Sequence, residues 1–201
     1  MLFQGQEFAA SSPFFYFADH QRELAALVRQ GRTEFLTQFG GIATPAMQAC
    51  LPDPADPATF ERSKLDFSER ELHAEIYRLH RDLLRLRRED PVFRAQRLGG
   101  IDGAVLGPEA FVLRFFGEHG NDRLLLVNLG LDLHLSPTPE PLLAPPAGMQ
   151  WQIRWSSEDP CYGGCGILPL ETEEYWQMPG QAAVVLTPQE RENAPEDSQD
   201  E

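Results

Sequence analysis

SERELHAEIYRLHRDLLRLRRED, residues 68–90, divides the sequence into a helical part and a strand-rich part. Its large aliphatic side chains recur every three or four residues, which is the spacing of one apolar stripe on an α-helix. Ser68 and Glu71 match a capping box, and Asp90-Pro91 disfavours further helix. We therefore predict one helix over residues 68–89. The predicted stripe consists of Leu72, Ile76, Leu79, Leu83 and Leu86.

After Pro91 the sequence changes to short apolar segments separated by Gly, Pro and Asn. This pattern predicts an antiparallel β-sandwich over residues 92–188. Trp151, Ile153 and Trp155 alternate along one segment and are expected to share a core-facing side of the sheet. The proline-rich residues 136–148 predict a rigid connection, and the acidic residues 189–201 predict a disordered tail. The predicted strands are residues 111–116, 124–128, 151–155 and 182–186.

Before residue 68 the regular elements are shorter. The apolar residues 1–3 predict the end of a buried strand. Asp19 is a candidate N-cap for a short helix that stops at Gly31. Four prolines within residues 40–60 predict a loop.

Composition excludes several classes of function. The 201 residues carry a net charge of −14, so no basic face is available for nucleic acid. No apolar run approaches the ~20 residues that span a bilayer, so no membrane partner is expected. Three cysteines, an odd count, argue against a disulfide framework and favour the cytoplasm. Cys161 and Cys165 lack a second pair of ligands, so neither a metal nor another cofactor is predicted.

Two groups of residues resemble a known family. LFQGQEF, residues 2–8, resembles the segment that forms the eighth barrel strand in the α-amylase superfamily of glycoside hydrolases. Asp53-Pro54, residues 56–60 (DPATF) and residues 63–66 (SKLD) resemble the malto-oligosyltrehalose trehalohydrolase branch of that superfamily, although Phe67 stands where that branch has Trp.

This resemblance implies an α+β fold in two parts. Residues 1–91 would form the last strand, loop and helix of a TIM (β/α)8 barrel. Residues 92–188 would form the C-terminal antiparallel β-sandwich domain. The implied activity is hydrolysis of the α-1,4 bond next to the trehalosyl end of maltooligosyl trehalose, which releases trehalose and serves trehalose biosynthesis.

The resemblance places no catalytic residue in this chain. The family's nucleophile Asp, acid/base Glu and transition-state-stabilising Asp would lie before Met1, so we expect the chain to be part of a longer enzyme. The candidates for binding maltooligosyl trehalose or another α-glucan are Glu7, Phe14, Phe17, Asp19 and His20.

Each candidate also has a structural interpretation. Glu7 would lie at the catalytic end of a barrel strand, but could instead orient its neighbours. Phe14 and Phe17 could stack on sugar rings or pack their loop. Asp19 and His20 could bond sugar hydroxyls, although Asp19 is equally a plain helix cap.

The sequence also allows other interpretations of the function of the chain. Within the enzyme class, it could be a fragment of a glycogen-branching enzyme or an amylase. In another class, it could be a free-standing carbohydrate-binding or interaction module, with Trp151, Trp155 and Trp176 as candidate contacts. The apolar stripe of the predicted helix would also favour self-association of the isolated chain.

The chain alone is expected to have no glycosidase activity, because a retaining glycosidase needs two carboxyl groups about 5–5.5 Å apart across the scissile bond. Loss of a catalytic group costs many powers of ten in rate. Incubation with maltooligosyl trehalose and an assay for trehalose tests this. Trehalose release that survives repurification and disappears in Glu7→Gln would contradict the prediction.

Overall fold

The computed structural model describes residues 2–136, 140–167, 169–172 and 175–191. Two compact units, Met1–Ala74 and Glu75–Glu201, make up the chain. The predicted domain boundary near residue 91 falls later. It stays a prediction, because compact units within one chain need not coincide with the domains of a complete enzyme.

The first unit is built from helices and loops. Helix α1 covers Arg22–Leu36, α2 covers Pro45–Ala49, α3 covers Pro57–Arg62 and α4 covers Glu69–Leu72, and a 3-10 turn covers Gln6–Phe8. The strand expected at residues 1–3 is not formed, since Leu2 and Phe3 are exposed and outside any strand. All strands in the described residues lie in the second unit, so the barrel part of the predicted fold is not visible here.

Helix α1 differs from its prediction at both ends. Its N-cap is Gln21, so the prediction that Asp19 caps this helix is wrong. Gly31 lies inside the helix, because one glycine costs only about 1 kcal/mol relative to alanine and fourteen other residues support the helix.

Residues 40–60 contain two short helices as well as loop. Thr44 caps α2 by accepting a hydrogen bond from the amide of Met47. Asp56 caps α3 in the same way through the amide of Ala58. In both helices the proline follows the cap, where its missing N–H has no cost. Proline therefore starts helices here, although it was expected only to break them.

The helix predicted over residues 68–89 is interrupted. After α4, His73 leaves helical geometry at φ −108° and ψ 39°, and α5 covers Ala74–Glu89. Nδ1 of His73 lies 2.8 Å from the carbonyl oxygen of Phe8 at this break. The capping box is also wrong, because the amide and hydroxyl of Ser68 both donate to Oδ1 of Asp66. These two hydrogen bonds lower the pKa of Asp66.

In the described residues, the second unit combines α5 and α6, which covers Pro91–Ala95, with seven strands. A five-stranded antiparallel sheet has the order β1-β2-β3-β7-β5, and β4 pairs with β6 in a second sheet. The antiparallel β-fold is therefore confirmed. The strands are β1 Ile101–Gly107, β2 Ala110–Phe115, β3 Arg123–Asn128, β4 Leu133–Leu135, β5 Met149–Ser156, β6 Trp176–Met178 and β7 Ala182–Glu190.

Two of the predicted segments differ from the structure. Gln189 and Glu190, assigned to the acidic tail, belong to β7, and residues 192–201 lie outside the described residues. The connection predicted at residues 136–148 contains a 3-10 turn at Pro141–Leu143, while residues 137–139 also lie outside the described residues. None of the helices in the described part of the chain has the length and apolar character required to cross a bilayer, and the cytoplasmic location stays a prediction.

Both faces of the large sheet carry apolar side chains. On one face, Leu126 and Val184 pack in a buried core with Trp176 and Met178 of the small sheet. On the other face, a cleft of about 420 Å³ separates the sheet from side chains of α5 and α6. Leu83 and Leu86 of the predicted stripe line this cleft, whereas Leu72 on α4 is 78% exposed. The stripe is thus partly covered inside the second unit, and self-association stays a prediction.

A bulge in β5 separates the two tryptophans that were expected to share a face. Ile153 lies opposite Leu186, but Trp155 lies opposite Val185, with Arg154 as the extra residue. Leu186 belongs to the core between the sheets, whereas Val185 and Trp155 line the cleft beside α5. The predicted common face is therefore wrong, because an extra residue reverses the alternation of a strand.

A buried ion pair links the end of the helical segment to the sheet. Asp90 accepts hydrogen bonds from the amides of Val92 and Phe93 through Oδ1, which caps α6. Its Oδ2 lies 2.8 Å from Nε of Arg123, at the start of β3. Both side chains are more than nine-tenths buried. The predicted stop at Asp90-Pro91 is confirmed, since α5 ends at Glu89.

Replacing Asp90 by Ala is expected to lower the free energy of unfolding of the second unit by about 3–5 kcal/mol, because Arg123 would stay buried without its partner. All three tryptophans lie in this unit, so urea unfolding followed by tryptophan fluorescence reports on it alone. The matched control is Glu89→Ala, which removes an exposed pair with Arg85 and should cost under about 1 kcal/mol. Equal losses in the two variants would refute the role given to Asp90.

Candidate functional site

Two aromatic rings of the loop over residues 11–20 form a continuous row with Phe3 and Phe60. The ring centroids of Phe3 and Phe14 are 5.3 Å apart, those of Phe14 and Phe17 are 6.1 Å apart, and those of Phe17 and Phe60 are 5.0 Å apart. We call these four residues the aromatic row. Each of them is more than a third exposed. The rings therefore pack against one another and also offer surface to solvent.

Buried hydroxyl groups hold the backbone of this loop. Oγ of Ser63 accepts a hydrogen bond from the amide of Phe15 at 3.1 Å and donates to the carbonyl oxygen of Thr59 at 2.9 Å. A second attachment joins the amide of Ala18 to the carbonyl oxygen of Pro54 at 2.9 Å. Only 5% of Ser63 is exposed, so water cannot readily replace its hydroxyl.

The residues that carry the family resemblance form this support. Asp56 caps α3, and the hydroxyl of Thr59 donates to the carbonyl oxygen of Asp53 at 2.6 Å. Gly5 has φ +80°, and a Cβ there would lie 2.8 Å from Cδ2 of Leu65. A side chain at position 5 would therefore meet both backbone strain and a steric clash. The residues that carry the resemblance therefore have structural roles. Asp56 and Thr59 position the support of the loop, and Gly5 allows Leu65 to approach the backbone closely.

Ser11, at the start of the loop, is fixed by a carboxylate. Its amide donates to Oε2 of Glu69 at 2.9 Å, and its hydroxyl donates to Oε1 of the same side chain. These hydrogen bonds lower the pKa of Glu69. Glu69 therefore keeps its charge to a lower pH than an ordinary glutamate does.

His20 lines a polar cavity of about 790 Å³. Arg29 and Asp53 face it as an ion pair at 3.0 Å, and α1 adds Gln30 and Glu34. Such side chains supply several hydrogen-bond donors and acceptors to one volume, which suits a polyhydroxyl ligand.

A second cavity, of about 380 Å³, lies against the aromatic loop. It is lined by Phe14, Tyr16 and Arg32 among others, and Arg29 lines both cavities. The guanidinium carbon of Arg32 lies 5.2 Å from the ring centroid of Tyr16, within the range of a cation–π contact. Arg29 and Arg32 thus place positive charge beside the loop in an otherwise acidic chain.

The structure brings some of the predicted binding residues together. Phe14 and Phe17 are neighbours in the aromatic row, and His20 lines the polar cavity. Asp19 is exposed, and Glu7 lies half-buried in the 3-10 turn, outside the lining of both cavities. The binding roles of all five candidates stay predictions.

Sequence reasoning missed the residues of α1 that face the polar cavity. Arg22, Ala26, Arg29 and Thr33 recur at spacings of three or four, so they lie along one side of the helix. This signal was present in the sequence, but a polar side of a helix usually faces only solvent. In the described part of the chain, no three His, Cys, Asp or Glu side chains are grouped as a metal site would require.

Parts of this chain are similar in sequence to known proteins. Residues 98–185 match the family model described as "Domain of unknown function (DUF3459)". The malto-oligosyltrehalose trehalohydrolase of Deinococcus radiodurans is 46% identical over 138 residues, which cover 66% of this chain and 21% of that protein. The enzyme of the same name from Rhizobium sp. (strain M-11) is 41% identical over 108 residues, which cover 52% of this chain and 17% of that protein.

The matched residues of this chain are related in sequence to the C-terminal part of enzymes named malto-oligosyltrehalose trehalohydrolase. The chain spans about a fifth of the length of the curated relatives that it matches. A likeness of fold extends to the crystal structure of trehalose-6-phosphate hydrolase from Bacillus licheniformis, with a TM-score of 0.54 and 13% identity. This likeness covers 92% of this chain and 35% of that one. The assignment of residues 92–188 to a C-terminal β-domain of a longer enzyme stays a prediction.

Replacing Ser63 by Ala is expected to release the aromatic loop, because the amide of Phe15 would lose its acceptor. The cost of an unsatisfied buried group is about 1–3 kcal/mol. Residue-resolved hydrogen exchange should show faster exchange at the amide of Phe15. Ser68→Ala is the control, since it removes an exposed hydroxyl and should leave that amide unchanged. Unchanged exchange in Ser63→Ala would exclude this support.

Proposed function

We propose that this chain forms one wall of the substrate site of an enzyme that hydrolyses the α-1,4 bond next to the trehalosyl end of maltooligosyl trehalose and so releases trehalose. Two curated relatives named malto-oligosyltrehalose trehalohydrolase, at 46% and 41% identity, support this substrate. The observation that carries the proposal is the pair Phe14 and Phe17, exposed side by side on a loop that buried hydrogen bonds hold in place.

The wall acts by binding and orientation. An aromatic face suits the C–H side of a glucose ring, so Phe14 and Phe17 would stack on the substrate. His20 and the ion pair of Arg29 with Asp53 would bond sugar hydroxyls in the polar cavity. Glu7 and Asp19 would act as further polar contacts at the edge of this site. The carboxylates that break the bond would come from the preceding part of the enzyme.

Ser63 and Thr59 contribute by positioning. Neither is expected to touch the sugar, because both are at least 95% buried. They fix the backbone of Phe15, and thereby the direction of the rings on either side of it. Such fixation reduces the conformational entropy that substrate binding would otherwise cost.

A chimera tests the proposal. This chain would replace the matching residues of the Deinococcus radiodurans relative, and the chimera should release trehalose from maltooligosyl trehalose. Phe14→Ala and Phe17→Ala should each lower kcat/KM by about two- to tenfold, which corresponds to the ~0.5–1.5 kcal/mol of one aromatic contact.

Phe35→Ala is the matched control, because Phe35 is an exposed phenylalanine of α1 outside the aromatic row. It should leave kcat/KM within twofold. A folded chimera that makes no trehalose, or one in which the three variants behave alike, would contradict the proposed role.

A further inference from the structure

The cleft of about 420 Å³ between the large sheet and the helices α5 and α6 has mostly apolar walls. We call it the helix cleft. Leu86 and Phe93 contribute to the helical wall, and Phe115 and Val185 contribute to the sheet wall. All of its lining residues belong to the second unit. The helix cleft is therefore separate from the aromatic row and from the polar cavity of the first unit.

Part of the apolar lining is in contact with solvent. Leu83 is 36% exposed, Phe116 is 42% exposed and Ile101 is 47% exposed. A concave apolar surface of this kind favours a ligand that would remove it from water. The volume lies in the lower part of the ~300–1,000 Å³ range of ligand sites, so it suits one alkyl chain better than a lipid with two chains.

The walls of the helix cleft are fixed by packing within the unit. Phe93 of α6 packs edge to face on Phe115 of β2, with ring centroids 4.8 Å apart. The bulge at Arg154 turns Trp155 to this side of the sheet, where its ring joins the lining. A ligand would meet side chains that are already in place, which lowers the entropic cost of binding.

The turn that follows α6 places polar groups beside these walls. Gln96 and Arg97 of this turn both line the helix cleft. The amide of Gly100 donates to the carbonyl oxygen of Arg97 at 3.0 Å, and the amide of Phe116 donates to the carbonyl oxygen of Gly100 at 2.9 Å. These hydrogen bonds connect the turn to the residue that follows β2. Arg97 is thereby held at the solvent side of the cleft.

The charged side chains in the lining are both arginines. Among the described residues, Arg87 of α5 and Arg97 line the helix cleft and no carboxylate does, although the whole chain has a net charge of −14. Arg97 forms an exposed ion pair with Glu118. Arg87 has no ion-pair partner in the described part of the chain. A guanidinium carries five N–H donors, so both arginines can still bind an anion.

We propose that the helix cleft binds a single-chain amphiphile with an anionic head, such as a medium-chain fatty acid. The alkyl chain would lie against the apolar walls, and the carboxylate would accept hydrogen bonds from Arg87 and Arg97. A cationic or a strongly hydrated ligand would match only one of these two features. The site shares no residue with the substrate wall proposed above, so this binding does not depend on the hydrolysis of a glucan.

Calorimetric titration of the full 201-residue chain with decanoate, below the concentration at which decanoate forms micelles, tests this proposal. We expect saturable one-to-one binding. Decyltrimethylammonium carries an alkyl chain of the same length and a cationic head. It should bind at least about tenfold more weakly, because the two guanidinium groups repel it.

Variants of the arginines test the polar part of the site. The double variant Arg87→Gln/Arg97→Gln should weaken the binding of decanoate about five- to tenfold. Arg88→Gln is the matched control, because Arg88 is an exposed arginine next to Arg87 on α5 but lies outside the lining. This control should change the Kd less than about twofold.

Variants of two other residues test the apolar part. Ala95 lines the helix cleft at the end of α6 and is exposed, so Ala95→Trp should fold and fill the volume that the alkyl chain needs. Saturable binding should then disappear. Trp155 is the one tryptophan among the residues that line this cleft. Trp155→Phe should therefore keep the binding but lose most of the change in tryptophan fluorescence that decanoate causes.

Several results would overturn the proposal: no saturable binding of decanoate, equal binding of the cationic amphiphile, or unchanged binding in the double arginine variant. Binding that Ala95→Trp leaves intact would also overturn it, because the ligand would then lie elsewhere. Phosphatidylglycerol vesicles that retain the chain, without any binding of free decanoate, would indicate a membrane surface in place of the proposed ligand.

Discussion

The ion pair between Asp90 and Arg123 is the constraint on which the second unit depends. One carboxylate oxygen caps α6, and the other accepts from the guanidinium that begins β3. Arg123 completes its hydrogen bonds through the carbonyl oxygens of Asn121 and Asp122 and the side chain of Asn121. A turn of the chain between helix and sheet is thereby tied to a central strand. Because both charges are buried, neither partner can be lost without leaving the other unsatisfied.

Helical side chains pack on the second face of the sheet. Phe93 of α6 packs edge to face on Phe115 of β2, with centroids 4.8 Å apart. The hydroxyl of Tyr162 donates a hydrogen bond to Asp82 of α5. Burial raises the pKa of this hydroxyl to about 12. Arg78 adds a hydrogen bond to the carbonyl oxygen of Cys161. The sheet therefore lies between its own small partner sheet on one side and the helices on the other.

The sequence predicted those parts of the chain that are dominated by local pattern. Four of the strands and the stop at Asp90 follow from apolar runs and proline chemistry. The three-residue strands β4 and β6 could not be predicted, because their pairing joins residues more than 40 positions apart. The bulge at Arg154 was also invisible, since strict alternation in the sequence favoured a regular strand.

The candidate site shows the same limit. Phe14 and Phe17 were named through a family resemblance, whereas their support by Ser63 depends on a hydrogen bond that spans 48 positions. The pair of Arg29 and Asp53 spans 24 positions and joins a helix to a loop. Among the described residues of the first unit, Phe8 is the one large hydrophobic side chain that is fully buried, at 0% exposed. Hydrogen bonds rather than a large core therefore specify this unit, and such bonds leave little periodic signal.

The bulge in β5 also limits which mutations this strand can accept. Loops tolerate insertions and deletions, but the number of residues in β5 is fixed. Three residues lie between Trp151 and Trp155, and one of them, Arg154, is the bulge residue. Deleting Arg154 would restore simple alternation and turn the indole of Trp155 from the helical side into the core between the sheets. Substitutions at Arg154 should be accepted freely, because its side chain is exposed. The length of the strand is therefore constrained at this point, whereas the residue type at position 154 can vary.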